Sequence, residues 1–350
     1  MSDFKEPTPD MPPCCIVIGM AGSGKTTLMK RLSTYVNFNN KNAYVVNLDP
    51  AVSNLPYVAN IDIRDTVDYK GVMKDFNLGP NGSIMTSLNL FSTRFDQVLD
   101  FLQKRSTDND IILVDTPGQI EVFTWSASGT IITEALSSTL PTVLLYVIDT
   151  PRSSQPVTFM SNMLYACSIM YRMRLPMVVV FNKADVQDYG LLETWMRDYQ
   201  SFQDAISDVN SDSFMLPLTR SMGLVLEEFY NTMRTVGVSA ATGEGIGDLL
   251  EAIGEAKQEY FDVFLESIRA AKATKATEEA KKQTKVMESV KGDLEPEDVI
   301  REGVAGEAEE VSEANEANEE TLVGEETKEE RAERQEFEKL VEWADELKKE

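Results

Sequence analysis

The chain has 350 residues, with 33 Lys and Arg against 58 Asp and Glu. Its formal charge of −25 argues against wrapping nucleic acid or lying on an anionic membrane, since both demand a basic surface. It contains no histidine, which excludes a Ser-His-Asp triad, a His-bearing zinc site and a histidine general base, leaving carboxylates, amides, lysine, a metal and oriented water for any chemistry.

Residues 1–13 hold four prolines and three acids, lack the basic flank and apolar stretch of a signal peptide, and are expected to be disordered. No apolar run approaches the ~20 residues of a membrane span. Cys14, Cys15 and Cys167 make no CxxC pair and suit a reducing compartment. The expectation is a soluble, intracellular protein.

Cys14–Ile18 is an apolar strand, followed by Gly19-Met20-Ala21-Gly22-Ser23-Gly24-Lys25-Thr26 and a helix through Thr34. Strand, glycine-rich turn and helix are the context of a phosphate-binding loop. Its glycines let backbone amides of Gly22, Ser23 and Gly24 point inward around a phosphate, helped by the helix N-terminus that carries Thr27. Lys25 reaches the β- and γ-phosphates, and the Thr26 hydroxyl ligates Mg²⁺.

Ala43–Leu48 is a second strand, closed by Asp49-Pro50-Ala51. Asp49 either orients an attacking water or simply ends the strand in an Asp-Pro turn; spacing leaves both open. An insertion over about 60–105 follows, from Ile61-Asp62-Ile63-Arg64-Asp65 to Gly79-Pro80-Asn81-Gly82, the latter read as a turn. Strand Ile111–Val114 delivers Asp115, the expected second metal ligand, to the sheet's carboxyl edge. In Asp115-Thr116-Pro117-Gly118-Gln119, Gly118 offers its amide to the γ-phosphate, and Gln119 with Glu121 lies on a phosphate-sensing loop.

Thr142–Ile148 is another buried strand. Gln155–Arg174 reads as a long helix whose Met160, Met163, Met170 and Met173 suit packing on a sheet, with an adaptable partner surface as the alternative. Met177–Phe181 precedes Asn182-Lys183-Ala184-Asp185. Asp185 can accept from the ring N–H and exocyclic amine of guanine, Asn182 can bond the base's other edge, and the Lys183 stem can pack over the ring. Adenine would leave that carboxylate unpaired. Thr235–Val238 ends in Ser239 and Ala240, whose N–H groups could reach the guanine oxygen.

Most of these strands are apolar throughout, as parallel strands covered on both faces must be. Helical crossovers between them give a doubly wound, mainly parallel α/β sheet, with nucleotide at the strands' carboxyl ends. Residues 14–268 form this domain. Residues 269–350 carry 14 Lys and Arg against 26 Asp and Glu and are expected to be largely disordered. Phe337, Leu340, Val341, Ala344 and Leu347 would make one apolar stripe in a terminal helix over 329–350.

These motifs in this order closely resemble the GPN-loop GTPases, named for Gly-Pro-Asn, which here is Gly79-Pro80-Asn81. The resemblance covers residues 14–268 and is strongest to the branch with a long acidic tail. It implies a P-loop GTPase of the MinD-related, dimeric branch, which also includes the tail-anchored-protein targeting ATPase. Several members of that branch carry a signature lysine where this chain has Met20. By the same resemblance Asp49 positions the hydrolytic water, Gln119 assists it, and Asn81 reaches the γ-phosphate of the partner subunit's nucleotide. The implied role is a Mg²⁺-dependent GTPase, homodimeric or paired with a related GPN-loop GTPase. It would assist RNA polymerase II assembly and nuclear import, in the cytoplasm with shuttling to the nucleus, without direct nucleic-acid or membrane contact. A GTP-binding scaffold with little turnover and a targeting-type ATPase are the alternatives.

Overall fold

Successive residues of each central strand enter opposite layers of the molecule, because side chains alternate across a sheet. Cys14, Ile16 and Ile18 lie in one buried cluster, whereas Cys15 and Val17 lie in the other. The computed structural model describes residues 6–207, 229–230, 233–266 and 269. Its strands are β1 (Cys14–Gly19), β2 (Ala43–Asn47), β3 (Ile61–Asp62), β4 (Ile111–Asp115), β5 (Thr142–Asp149), β6 (Met177–Asn182) and β7 (Arg234–Val238).

They form one seven-stranded sheet in the order β3-β2-β4-β1-β5-β6-β7, with every pairing parallel. From β1 the chain crosses over to β2 on one side, returns through β4, and then builds β5, β6 and β7 on the other. The order therefore reverses at β1, and the crevice outside its carboxyl end is where such sheets bind ligands.

The helices are α1 (Lys25–Phe38), α2 (Tyr69–Asp75), α3 (Pro80–Ser92), α4 (Phe95–Arg105), α5 (Ile120–Thr124) and α6 (Ala127–Thr139). They continue as α7 (Thr150–Ser153), α8 (Pro156–Met173), α9 (Gly190–Arg197), α10 (Tyr199–Ser207) and α11 (Ile246–Glu259). One face of the sheet is covered by α1 and α11, through Leu28, Leu32, Leu249 and Ile253. The other is covered by the insertion helices α3 and α4 together with α6 and α8, through Leu88, Leu99, Leu136 and Phe159. Met160 and Met163 of α8 are buried there, and partly buried Met170 and Met173 pack against the same cluster, so this methionine face is core.

Three expectations change. The insertion contributes a strand, β3, on the sheet edge; at two residues it leaves no apolar run in the sequence. Gly79–Gly82 is the start of α3 rather than a free turn: Pro80 occupies the first helical position, where its missing N–H costs nothing. Ser83 N–H closes that first turn onto Gly79 O at 2.9 Å. Residues 6–13 are also ordered, contrary to expectation. Pro7 and Pro12 are buried, Met11 packs on the core, and Lys257 donates to Pro9 O at 2.7 Å. The acidic tail and the stripe at 329–350 lie outside the described residues. Among the described residues no helix is long and apolar enough to cross a membrane.

Candidate functional site

At the carboxyl end of β1 the chain turns through Gly22 and Gly24, both with positive φ. A Cβ on Gly24 would stand 2.4 Å from Asn182 Nδ2, so only glycine permits this close approach. Lys25 then opens α1 and is 6 % exposed. Its Nζ donates to Gly19 O (2.7 Å), Met20 O (3.1 Å) and Gly118 O (3.3 Å). Burial lowers its pKa, opposed by the carboxylates of Asp115, Asp49 and Glu121. Thr26 is half-buried and Thr27 exposed on the same first turn.

Asp115, the last residue of β4, is 1 % exposed. Its Oδ2 accepts from Tyr57 Oη at 2.6 Å, while Oδ1 is buried with no hydrogen-bond partner among the described residues. Burial pushes the carboxyl up to about 6, against the pull of the Tyr57 hydrogen bond and Lys25. Asp49 stands beside it, its Oδ1 accepting from Ala51 N–H (2.9 Å) and its Oδ2 from Gly118 N–H (3.2 Å). Burial raises this carboxyl as well. The strand-ending turn and the reach into the pocket are thus both real for Asp49.

A second layer holds Asp49 in place. Asn47 Oδ1 accepts from Asp49 N–H at 3.1 Å, and Asn47 Nδ2 donates to Asp62 Oδ1 at 3.0 Å. Arg64 pairs with Asp62 at 2.7 Å and donates to Val52 O and Ser53 O, fastening the loop that follows Asp49.

Lys25, Thr26, Asp49, Asp115 and Gly118 therefore converge, with Gln119 beside them and its Oε1 buried with no hydrogen-bond partner among the described residues. Gly118 N–H, expected at the γ-phosphate, is already committed to Asp49. Asn81 is exposed on the first turn of α3 and makes no hydrogen bond to this group among the described residues.

The second half of the site lies across the P-loop. Asn182 ends β6 and is 1 % exposed. Its Nδ2 donates to Ser23 O (2.8 Å), and its Oδ1 accepts from Lys183 N–H (2.9 Å) and Ala240 N–H (3.1 Å). It thereby joins three loops, a tying role beyond the base contact expected of it. Lys183, with φ 68°, sends its Nζ to Asp149 Oδ2 (2.6 Å) and Gly22 O (3.2 Å). Asp185 is exposed, and its carboxylate makes no hydrogen bond among the described residues.

Ser239 and Ala240, expected to offer N–H groups to the guanine oxygen, are engaged within the protein here. Ser239 N–H donates to Glu244 O at 3.0 Å and Ala240 N–H to Asn182, so in this arrangement neither amide is free for the guanine oxygen. Ser239 Oγ accepts from Thr242 N–H and Arg31 of α1 donates to Ala240 O, so this pair braces the base loop.

Tyr57, Asp149 and Asn47 were missing from the expected site. Asp149 had a signal, since it ends β5 as Asp115 ends β4, an acid terminating an apolar run. Tyr57 had none; it is a loop aromatic like any other.

The donor set fits Mg²⁺. The Thr26 hydroxyl and the unpartnered Asp115 Oδ1 are hard oxygens, and Mg²⁺ takes few protein ligands beside nucleotide phosphates.

Fold and site together define a P-loop nucleotide-binding protein with a guanine-type base motif. A family profile described as conserved hypothetical ATP binding protein matches residues 17–259. The chain is 59% identical over 280 residues to GPN-loop GTPase 1 of Dictyostelium discoideum, covering 80% of this chain and 70% of that one. It is 50% identical to GPN-loop GTPase 1 of Schizosaccharomyces pombe, covering 82% of each. An apo-form crystal structure of a GTPase from Pyrococcus abyssi superposes with a TM-score of 0.62 at 26% identity, over 71% of this chain and 98% of that one. The chain belongs to the GPN-loop GTPases, and its activity is GTP hydrolysis.

Proposed function

We propose that this GTPase is Mg²⁺-dependent, works as a dimer, and acts as a nucleotide-driven switch in the assembly and nuclear delivery of RNA polymerase II. The observation that carries the catalytic half is the convergence of buried Lys25, Asp49 and Asp115 with half-buried Thr26 and Gly118 at the carboxyl ends of β1, β2 and β4. Lys25 and the P-loop amides hold the phosphates, and Thr26 with Asp115 would hold Mg²⁺, which neutralises charge on the phosphate oxygens. Asp49 is the acid placed to orient water, and Gln119 flanks it with an unused carbonyl oxygen. Phosphoryl transfer depends mainly on positioning and electrostatics, so this set suffices without histidine.

Dimerisation is supported by the exposed position of Asn81, which leaves it available to a partner's nucleotide and distant in bonding from its own pocket. The polymerase role and the shuttling between cytoplasm and nucleus rest on the family resemblance. The test is molar mass in solution with GDP and with a non-hydrolysable GTP analogue, alongside GTP turnover with and without Mg²⁺. A nucleotide-dependent dimer whose turnover needs Mg²⁺ and falls on Asn81→Ala supports the reading. A monomer with full turnover removes Asn81 from the mechanism, and binding without turnover above buffer leaves a scaffold. Capture of polymerase subunits in only one nucleotide state tests the client role.

A further inference from the structure

We propose that Asp149 is the positioning residue that sets Lys183 over the guanine ring, making it a determinant of guanine-nucleotide affinity. The inference rests on the reading that the Lys183 stem covers the base.

A lysine carries a compact charge on a long flexible stem, so where it points is decided by what holds its amine. In this chain three features fix that direction. The Lys183 backbone is left-handed, at φ 68°. Its Nζ lies between Asp149 Oδ2 at 2.6 Å and Gly22 O at 3.2 Å. Asp149 itself pairs in register with Asn182 across β5 and β6, which places an acid at the level where the base motif begins.

The same carboxylate gathers a second cation. Arg152 Nε stands 3.5 Å from Asp149 Oδ2, and a Cβ on Gly22 would meet the Arg152 guanidinium at 3.5 Å. Lys183 and Arg152 thus flank the exposed P-loop residue Gly22, both anchored on one acid.

Packing alone does not account for Asp149. It is 7 % exposed, and its Oδ1 is buried with no hydrogen-bond partner among the described residues. A buried carboxylate with an unfilled oxygen is a poor structural element unless its charge is used. Its use here is to hold Lys183 extended across the P-loop rim before nucleotide arrives. The rotamer freedom of the stem is then lost on folding rather than on binding.

The test measures GDP and pyrophosphate affinity for the full chain and for the variants Asp149→Asn, Lys183→Met and the double variant. Asp149→Asn is expected to weaken GDP about tenfold, the scale of one lost hydrogen bond to a charged group. Pyrophosphate should bind as before, because the phosphate cradle is intact, and Asp149→Asn should add nothing once Lys183 is Met. Loss of GDP and pyrophosphate affinity in step would mean a merely structural role and overturn the inference. So would additive effects in the double variant, or unchanged GDP affinity in Asp149→Asn. If Lys183→Met alone leaves GDP affinity unchanged, the base-covering reading fails and the inference falls with it. Asp149→Glu, which keeps the charge on a longer arm, should recover part of the lost affinity. No recovery would point away from Lys183 anchoring.

Discussion

The two halves of the site are built on opposite plans. On the base side most polar groups are closed against one another, with Asp149 Oδ1 the exception: Asn182 makes three hydrogen bonds, Ser239 and Ala240 have both amides engaged, and Lys183 is held by Asp149. On the phosphate side the groups are charged, buried and incompletely met. Asp115 Oδ1 and Gln119 Oε1 have no hydrogen-bond partner among the described residues, two carboxyls are pushed up, and the lysine beside them is pushed down. Buried charge of this kind costs stability until a ligand compensates it. The base half is preorganised by the protein, whereas the phosphate half is completed by phosphate and cation. A switch needs that asymmetry, because only the half that senses the γ-phosphate has to change state.

The comparison breaks most readily at Asp49. Asp49→Asn should slow GTP turnover about 1,000-fold, within the usual range for a lost acid–base or water-orienting group, with GTP affinity within a few-fold of the parent. Single-turnover phosphate release checks this, and unchanged turnover would reduce Asp49 to a strand-ending turn.

On the base side the largest effect should be on stability. Asn182→Ala removes the tie to Ser23 O and strands the buried Ala240 N–H and the part-buried Lys183 N–H, so the nucleotide-free protein should lose about 3 kcal/mol in urea unfolding. A loss below about 1 kcal/mol would mean the base loop is not held as described. Asp185 is the contrast. Its carboxylate takes no hydrogen bond among the described residues, so Asp185→Ala should weaken GTP about 30-fold by equilibrium titration while leaving the unfolding midpoint and ATP affinity unchanged.

The smallest effect is a gain. The Asp115 carboxyl sits at about 6 in this fold against an ordinary 3.8. The folded chain holds that proton more tightly than the unfolded chain, so stability falls as pH rises through this window. In EDTA without nucleotide, Asp115→Asn should melt a few degrees above the parent near pH 7.5. The gap should close below about pH 4, where both states carry the proton. A variant that melts lower at neutral pH would contradict the cost assigned to the buried charge.

What the sequence made legible follows the same division. Largely apolar runs announced β1, β2, β4, β5, β6 and β7, and glycine spacing announced the P-loop. Strand β3 stayed hidden because Ile61–Asp62 is too short to show a pattern. The start of α3 was misread because Gly-Pro-Asn-Gly has turn chemistry, although proline at a first helical position is equally common. Residues such as Lys25, Asp115 and Asn182 were visible because ligand chemistry restricts their type and spacing. Tyr57 and the engagement of Gly118, Ser239 and Ala240 were not, since they depend on where distant loops meet.

The most direct test of the asymmetry is amide hydrogen exchange of the full chain, nucleotide-free and with Mg²⁺ and a non-hydrolysable GTP analogue. The account predicts that Ala184, Ser239, Ala240 and Gly243 are already protected without nucleotide. Residues 49–57 and 116–121 should gain most of their protection on loading. Rapid exchange across the base loops of the free protein, with protection arriving only on binding, would contradict it.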